Sequence, residues 1–140
     1  MMEIKPTNLT VNNPDFSFGK KERLCSKKVI EKLFSEGESF LSFPLKVVYL
    51  KTPLSSDTPV QIAFTASKKA FKKAVHRNLI KRRMRESYRL NKQLLEGFSS
   101  ENQMAIFIIF IGKEIPEYSV FNQSMKKALK KLSNLNASYK

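Results

Sequence analysis

The 140 residues carry 26 Lys and Arg against 12 Asp and Glu, a net charge of +14, and 41% of them are hydrophobic. That is one ordinary domain with enough apolar side chains for a packed core, which excludes wholesale disorder. The cation excess points to an anionic partner, a phosphate polymer or an anionic membrane surface; the longest apolar run, AIFIIFI at 105–111, is far too short to span a bilayer.

Residues 1–17 are polar, rich in Asn, Thr and Pro, and read as a flexible N-terminal arm. Lacking an apolar centre, they are expected to be neither a signal peptide nor a lipid-seeking helix. Cys25 stands alone, which rules out an internal disulfide, fits a reducing cytoplasm, and reads as structural. Ser26 is placed to N-cap a helix over KKVIEKLFSEG, with Val29, Ile30, Leu33 and Phe34 on one face and Gly37 at its C-cap. A short strand is placed near Ser39–Phe43, limited by Pro44. LKVVYL (45–50) and VQIAFTA (60–66) read as strands, the second with Val60, Ile62 and Phe64 on one side. The turn-rich Lys51–Pro59 between them suggests a hairpin or meander. Helical periodicity resumes from about Phe71 to Leu95. AIFIIFI, apolar on both faces, suits a central strand, and Pro116 ends that region. A last helix from Tyr118 carries Phe121, Met125, Ala128, Leu129 and Leu132 at core spacing, with Lys126, Lys127, Lys130 and Lys131 mostly outward. The fold class is α+β: one domain of helices packed on a small sheet, without internal repeats.

The charge is local. Between Lys68 and Lys92 lie eleven Lys or Arg and one acid, Glu86, so this stretch holds +10 of the +14. On a helical wheel Arg77, Asn78, Lys81, Arg82, Arg85, Arg89 and Lys92 share one side. Val75, Leu79, Ile80, Met84, Leu90 and Leu94 share the other, expected to pack, with Arg83 awkwardly near the middle of that apolar arc. A solvated charged face would interleave Glu with Lys; here the i,i+4 repulsion among Arg77, Lys81, Arg85 and Arg89 goes almost uncompensated. Arginine's planar fork grips two phosphate oxygens, and Asn78 can bond a phosphate, a ribose hydroxyl or a base edge. A ridge so purely cationic suits backbone and shape recognition, the usual mode on folded RNA, more than base readout in a DNA groove.

At these residues the sequence resembles the bacterial ribonuclease P protein component. The family pattern A-V-x-R-N-R-x-K-R-x-x-R-E stands here as Ala74-Val75-His76-Arg77-Asn78-Leu79-Ile80-Lys81-Arg82-Arg83-Met84-Arg85-Glu86. SKKAFKKAV resembles the lead-in to that helix, and KKERLCSKKVIEKLFSEG the N-terminal helix with its following Gly; the likeness covers roughly residues 16–135. Two positions depart from the pattern. Leu79 replaces an Arg or Lys and is left out of the site, while Arg83 replaces an apolar residue. The resemblance implies an α-β-β-β-α-β-α sandwich with a left-handed crossover around the basic helix, against the usual hand. It implies a domain over 18–135 with a short tail at 136–140. It also implies a subunit of a ribonucleoprotein endoribonuclease that matures the 5′ ends of precursor tRNA in the cytoplasm.

By that likeness Lys68, Lys69, Lys72, Lys73, Arg77, Asn78, Lys81, Arg82, Arg85 and Arg89 bind RNA, shared between the catalytic RNA that the basic-motif region faces and the precursor tRNA. A cleft between the N-terminal helix and the sheet, lined by Ile30, Phe34 and Val48, holds the single-stranded 5′ leader. For Ile30 and Phe34 the alternative is plain helix-to-sheet packing; as a ligand site, Phe34 would stack on a base without regard to sequence. Cleavage is expected from the RNA subunit and its bound Mg²⁺, with no catalytic residue, metal site or obligate protein partner on the chain. The residues agree. The two Asp, Asp15 and Asp57, are far apart, Glu36 and Glu38 are the nearest to a carboxylate pair, and His76 is the only histidine and reads as an RNA contact or surface residue. The competing functions are a non-enzymatic RNA-binding or ribosome-associated protein and a protein-only nuclease, the latter disfavoured by the missing acidic cluster.

Overall fold

Ser26 opens the first helix as expected. In the computed structural model, which describes residues 18–99 and 101–138, its Oγ accepts the Val29 N–H at 3.3 Å and α1 runs Lys27–Glu36. Such a cap stabilises a helix by about 1 kcal/mol. The expected N-terminal arm, 1–17, lies outside the described residues. Leu33 is the buried residue of α1. Gly37 ends the helix, its N–H donating to the Leu33 carbonyl at 2.8 Å. Glycine is needed there for space and not for a left-handed backbone, since φ is −74°. A Cβ would lie 2.3 Å from the Leu33 carbonyl oxygen and 2.8 Å from that of Tyr49.

The chain continues through β1 (Glu38–Ser42), β2 (Leu45–Lys51), β3 (Val60–Ala66), α2 (Ala74–Asn91), β4 (Met104–Phe110) and α3 (Tyr118–Ser138), with 3₁₀ turns at Lys20–Glu22 and Lys92–Leu94. The sheet order is β1-β2-β4-β3. β2 is antiparallel to both β1 and β4, setting Val47 opposite Phe40 and Val48 opposite Phe107, whereas β3 is parallel to β4. The expected β2–β3 hairpin therefore does not form, because β4 lies between its strands. Two features explain this. β4 is apolar on both faces and needs a neighbour on each edge. The loop after β2 crosses the start of β4 and is tied there by one side chain: Gln103 Nε2 donates to the Ser56 and Thr58 carbonyls at 2.6 and 2.8 Å, and its Oε1 accepts the Leu54 N–H at 2.9 Å. The β3–α2–β4 unit is the parallel crossover.

The sheet is covered on both sides. Val48 and Ala105 point to one face, where they cluster with Leu24, Leu33 and Ile30. Val47, Tyr49, Ile106 and Ile108 point to the other, where α2 and α3 pack. On α3 the five expected residues, Phe121, Met125, Ala128, Leu129 and Leu132, are all fully buried. Their lysine neighbours 126, 127, 130 and 131 are exposed. The helix continues to Ser138, so the expected tail from 136 is helical at its start. Asn136 holds it there, accepting from Lys51 Nζ at 2.8 Å and Asn102 Nδ2 at 3.0 Å.

α2 is rotated from its expected setting. Its buried residues are Ile80, Met84, Ser87, Tyr88 and Asn91, while Val75 and Leu90 are 67% and 38% exposed. The wheel weighed hydropathy alone and so missed two polar residues whose bonds are met inside the fold. Ser87 Oγ donates to the Met84 carbonyl at 2.9 Å, and Asn91 Nδ2 donates to the Ser87 carbonyl at 2.8 Å and to Asn122 Oδ1 at 2.7 Å. Once satisfied, such groups are buried at little cost. The same rotation frees Arg83, which is exposed.

Two outcomes follow from this packing. Gly37→Ala forces backbone apart and is expected to cost about 1–3 kcal/mol in urea unfolding; an unchanged midpoint would refute the close approach. Tyr88 packs against Phe18 and Phe64, with ring centroids 5.8 and 5.9 Å away. Burial first, and the Glu22 carboxylate second, raise its phenol well above the ordinary 10.0. The folded chain therefore keeps a proton that the unfolded chain releases. The stability from this group is present below pH 10 and is lost as pH rises beyond it. Thermal melts of Tyr88→Phe should show a shallower alkaline decline than the parent, and parallel curves would contradict this.

Candidate nucleic-acid interface

The cationic stretch begins on a tied turn. Ser67 Oγ accepts the N–H groups of Lys69 and Ala70 at 3.1 and 3.3 Å, and Phe71 is buried against Phe110 with centroids 5.8 Å apart. Lys68, Lys69, Lys72 and Lys73 project from this turn, all exposed. α2 follows with no side-chain cap at Lys73 and no acid in its first turn. The positive end of its dipole is thus set beside two lysines, an arrangement that favours an anion. On α2 itself Asn78, Arg82 and Arg85 are exposed, while Arg77, Lys81 and Arg89 are half-buried.

Two of the expected contacts are engaged within the chain. Arg77 Nη1 donates to the Phe71 carbonyl at 2.7 Å and to the Lys72 carbonyl at 2.9 Å. It clamps the lysine turn to the first turn of α2. Arg89 pairs with Glu86 at 2.5 Å. Their hydrogen bond holds the Glu86 carboxyl below the usual carboxylate range and raises the Arg89 guanidinium further. The one acid of the stretch thus offsets Arg89, and the densest uncompensated charge lies at Lys81, Arg82 and Arg85.

Lys81 and Arg85 belong to two adjoining hollows. One, of about 470 Å³, is formed with Val75, His76, Asn78, Leu79 and Arg82. The other, of about 370 Å³, runs over the β3 edge to Phe18, Leu24, Cys25, Ala63 and Phe64. Ala63 packs with the apolar cluster beneath α1. The ridge and the α1 side of the sheet therefore meet along β3. On that side Ile30 is half-buried, Phe34 is 51% exposed and Val48 is 6% exposed. The structure brings Ile30 and Val48 into one cluster, with Val48 on its floor. Phe34 rests edge-on against Phe107, ring centroids 5.0 Å apart. Phe107, which sequence reading missed, joins these residues on the α1 side of the sheet. Its alternation with Ile106 and Ile108 was hidden because every residue of β4 is apolar.

The remaining candidates fall elsewhere. His76 is exposed and lines the ridge hollow. Cys25, expected to be structural, is exposed beside Lys81 and Arg85, because it precedes the N-cap and faces outward while Leu24 takes the buried position. Glu38 Oε1 accepts the Tyr49 hydroxyl at 3.0 Å and Glu36 is exposed. Among the described residues no three His, Cys, Asp or Glu side chains converge as metal ligands. No helix among them is long and apolar enough to cross a membrane.

Residues 18–133 match the family model of ribonuclease P. A ribonuclease P protein component from Porphyromonas gingivalis W83 is 38% identical over 121 residues, covering 83% of this chain and 86% of the relative. One from Chlorobium phaeobacteroides is 34% identical over 125 residues, covering 81% and 86%. The fold is similar to the RNase P protein of Thermotoga maritima, with TM-score 0.63, 24% identity and coverage of 79% and 96%. It is equally similar to that of Staphylococcus aureus, with TM-score 0.63, 20% identity and coverage of 81% and 96%. With more than two thirds of its length matched in sequence, the chain belongs to the ribonuclease P protein family.

Proposed function

We propose that this chain is the protein subunit of a ribonucleoprotein endoribonuclease, binding the catalytic RNA along α2 and the 5′ leader of precursor tRNA between α1 and the sheet. The observation that carries this reading is the junction at β3, where Lys81 and Arg85 serve both the cationic ridge and the hollow that leads to the α1 side. One polyanion laid on the ridge and a second strand entering from the β3 edge would share these two side chains. The leader would lie with a base against Phe34, whose exposed face is backed by Phe107, and apolar stacking of that kind accepts many sequences. The chemistry would belong to the RNA subunit and its bound Mg²⁺, which would activate the nucleophile. The protein supplies orientation and charge neutralisation, which count most when divalent ions are scarce. A cytoplasmic location follows from that substrate.

Adding the chain to a bacterial ribonuclease P RNA should stimulate precursor-tRNA cleavage at low Mg²⁺. No stimulation of a correctly folded RNA would remove this reading. Tight binding to ribosomal RNA without such stimulation would favour the non-enzymatic alternative. The ridge residues should separate into two kinds. Arg82→Ala and Arg85→Ala should leave unfolding unchanged and flatten the salt dependence of RNA binding by about 0.7–0.9 in log–log slope each. Arg77→Ala should also lower stability, by about 1 kcal/mol, because it releases two carbonyls. Equal effects of all three on the slope, with none on stability, would refute the clamp.

A further inference from the structure

Away from α1 and α2, the β1 edge of the sheet carries an aromatic group in water. Phe43, in the turn between β1 and β2, is 73% exposed, Leu41 is 63% exposed and Val120 of α3 is 37% exposed. The turn is held firmly: Ser42 Oγ donates to the Ser124 carbonyl at 2.9 Å, and Ser124 Oγ donates back to the Phe43 carbonyl at 2.9 Å. With the backbone of the turn held in this way, a partner that meets the ring has only the side chain to order. Beside it is a hollow of about 490 Å³, whose lining includes Lys127 and Lys131 and no acidic residue. The Lys131 ammonium sits 4.7 Å from the centroid of the Phe40 ring. Lys126 and Lys130 add charge to the same exposed helix face. In the sheet, β2 and β4 separate this edge from β3, where the ridge meets the α1 side.

We propose that the β1–β2 turn and the outer face of α3 form a second RNA-binding surface, which takes a single-stranded segment with an unstacked base on Phe43 and its phosphates on Lys127 and Lys131. An aromatic side chain beside ammonium groups, with no carboxylate in the lining, complements a nucleic acid: the ring meets a base and the lysines meet the backbone. A single strand suits this surface better than a duplex, whose base faces are already stacked and closed to the ring. The inference rests on the reading that the chain works on RNA. It adds a contact on the opposite edge of the sheet from the ridge, so that one protein holds RNA from two sides.

The test uses the full chain and a single-stranded oligouridylate carrying thiouridine. After irradiation, mass spectrometry should find crosslinks at Phe43 or Phe40. Phe43→Ala should weaken single-strand binding about fivefold or more while leaving affinity for a duplex of equal length unchanged, and Phe43→Trp should restore it. Lys127→Ala with Lys131→Ala should lower the salt slope by about 0.7 per lysine. Phe43 is so exposed that its replacement should not alter melting, which is checked alongside. Crosslinks confined to α1, α2 and the sheet, with Phe43→Ala without effect, would overturn the proposal. So would sedimentation showing that Phe43 holds together two copies of the chain. Because the readout is direct contact with RNA, failure to stimulate precursor-tRNA cleavage would remove the proposed holoenzyme role and leave this surface standing.

Discussion

The amide of Asn91, buried and donating to Ser87 on its own helix and to Asn122 on α3, sets how α2 is turned, and the display of charge depends on that turn. With Ile80, Met84 and Tyr88 it defines a buried strip narrower than the apolar arc of the helix. A rotation by a fraction of a turn would bury Leu79 and Leu90 more deeply, but it would draw Arg83 toward the core and swing Lys81 away from the β3 edge. A helix this cationic gains little from intrinsic stability, since its like charges repel. It is held by tertiary packing, and that packing is specific because two polar residues must each find a partner. The lysine turn ahead of it and the Arg77 clamp are positioned by the same choice.

Much of the fold was legible in the sequence. The caps of α1, the core residues of α3 and the central place of β4 follow from local chemistry and periodicity, which tertiary structure had no reason to override. What was not legible depends on distant residues. The β2–β3 pairing looked natural because the two strands are neighbours in sequence, and only Gln103, 45 to 49 residues beyond the loop residues it ties, shows why the chain steps over β4 instead. The rotation of α2 escaped because hydropathy treats Ser87 and Asn91 as outward residues, whereas their hydrogen bonds are completed inside. In the interface, the kind of residue was readable and its engagement was not. Nothing in the motif distinguishes Arg77, bonded to two backbone carbonyls, from Arg82 in open solvent.

The departures from the family pattern gain a physical meaning here. Leu79 is half-buried in the ridge hollow, which Asn78 and Arg82 also line, and so gives that hollow an apolar wall. Arg83 stands exposed on the other flank, near Glu86, Arg89 and Tyr118, whose hydroxyl is buried without a partner among the described residues. Charge has been moved around the helix without entering the core, so the exchange is tolerated by the fold. The surface offered to a polyanion is widened on one side and made less polar on the other.

The central, late position of β4 has a consequence for how the chain is made. Until Met104–Phe110 has been synthesised, β3 lacks its partner strand and β2 has only β1. The cations of α2 are made before the sheet that will orient them is closed, and the helix that fixes their rotation, through Asn122, comes later still. Pairing across so long a separation in sequence is slow relative to local structure. A growing chain therefore carries the +10 of Lys68–Lys92 before it has a shaped surface on which to use it. The fixed setting of α2, and with it any shaped display of those cations, arrives only with the last helix.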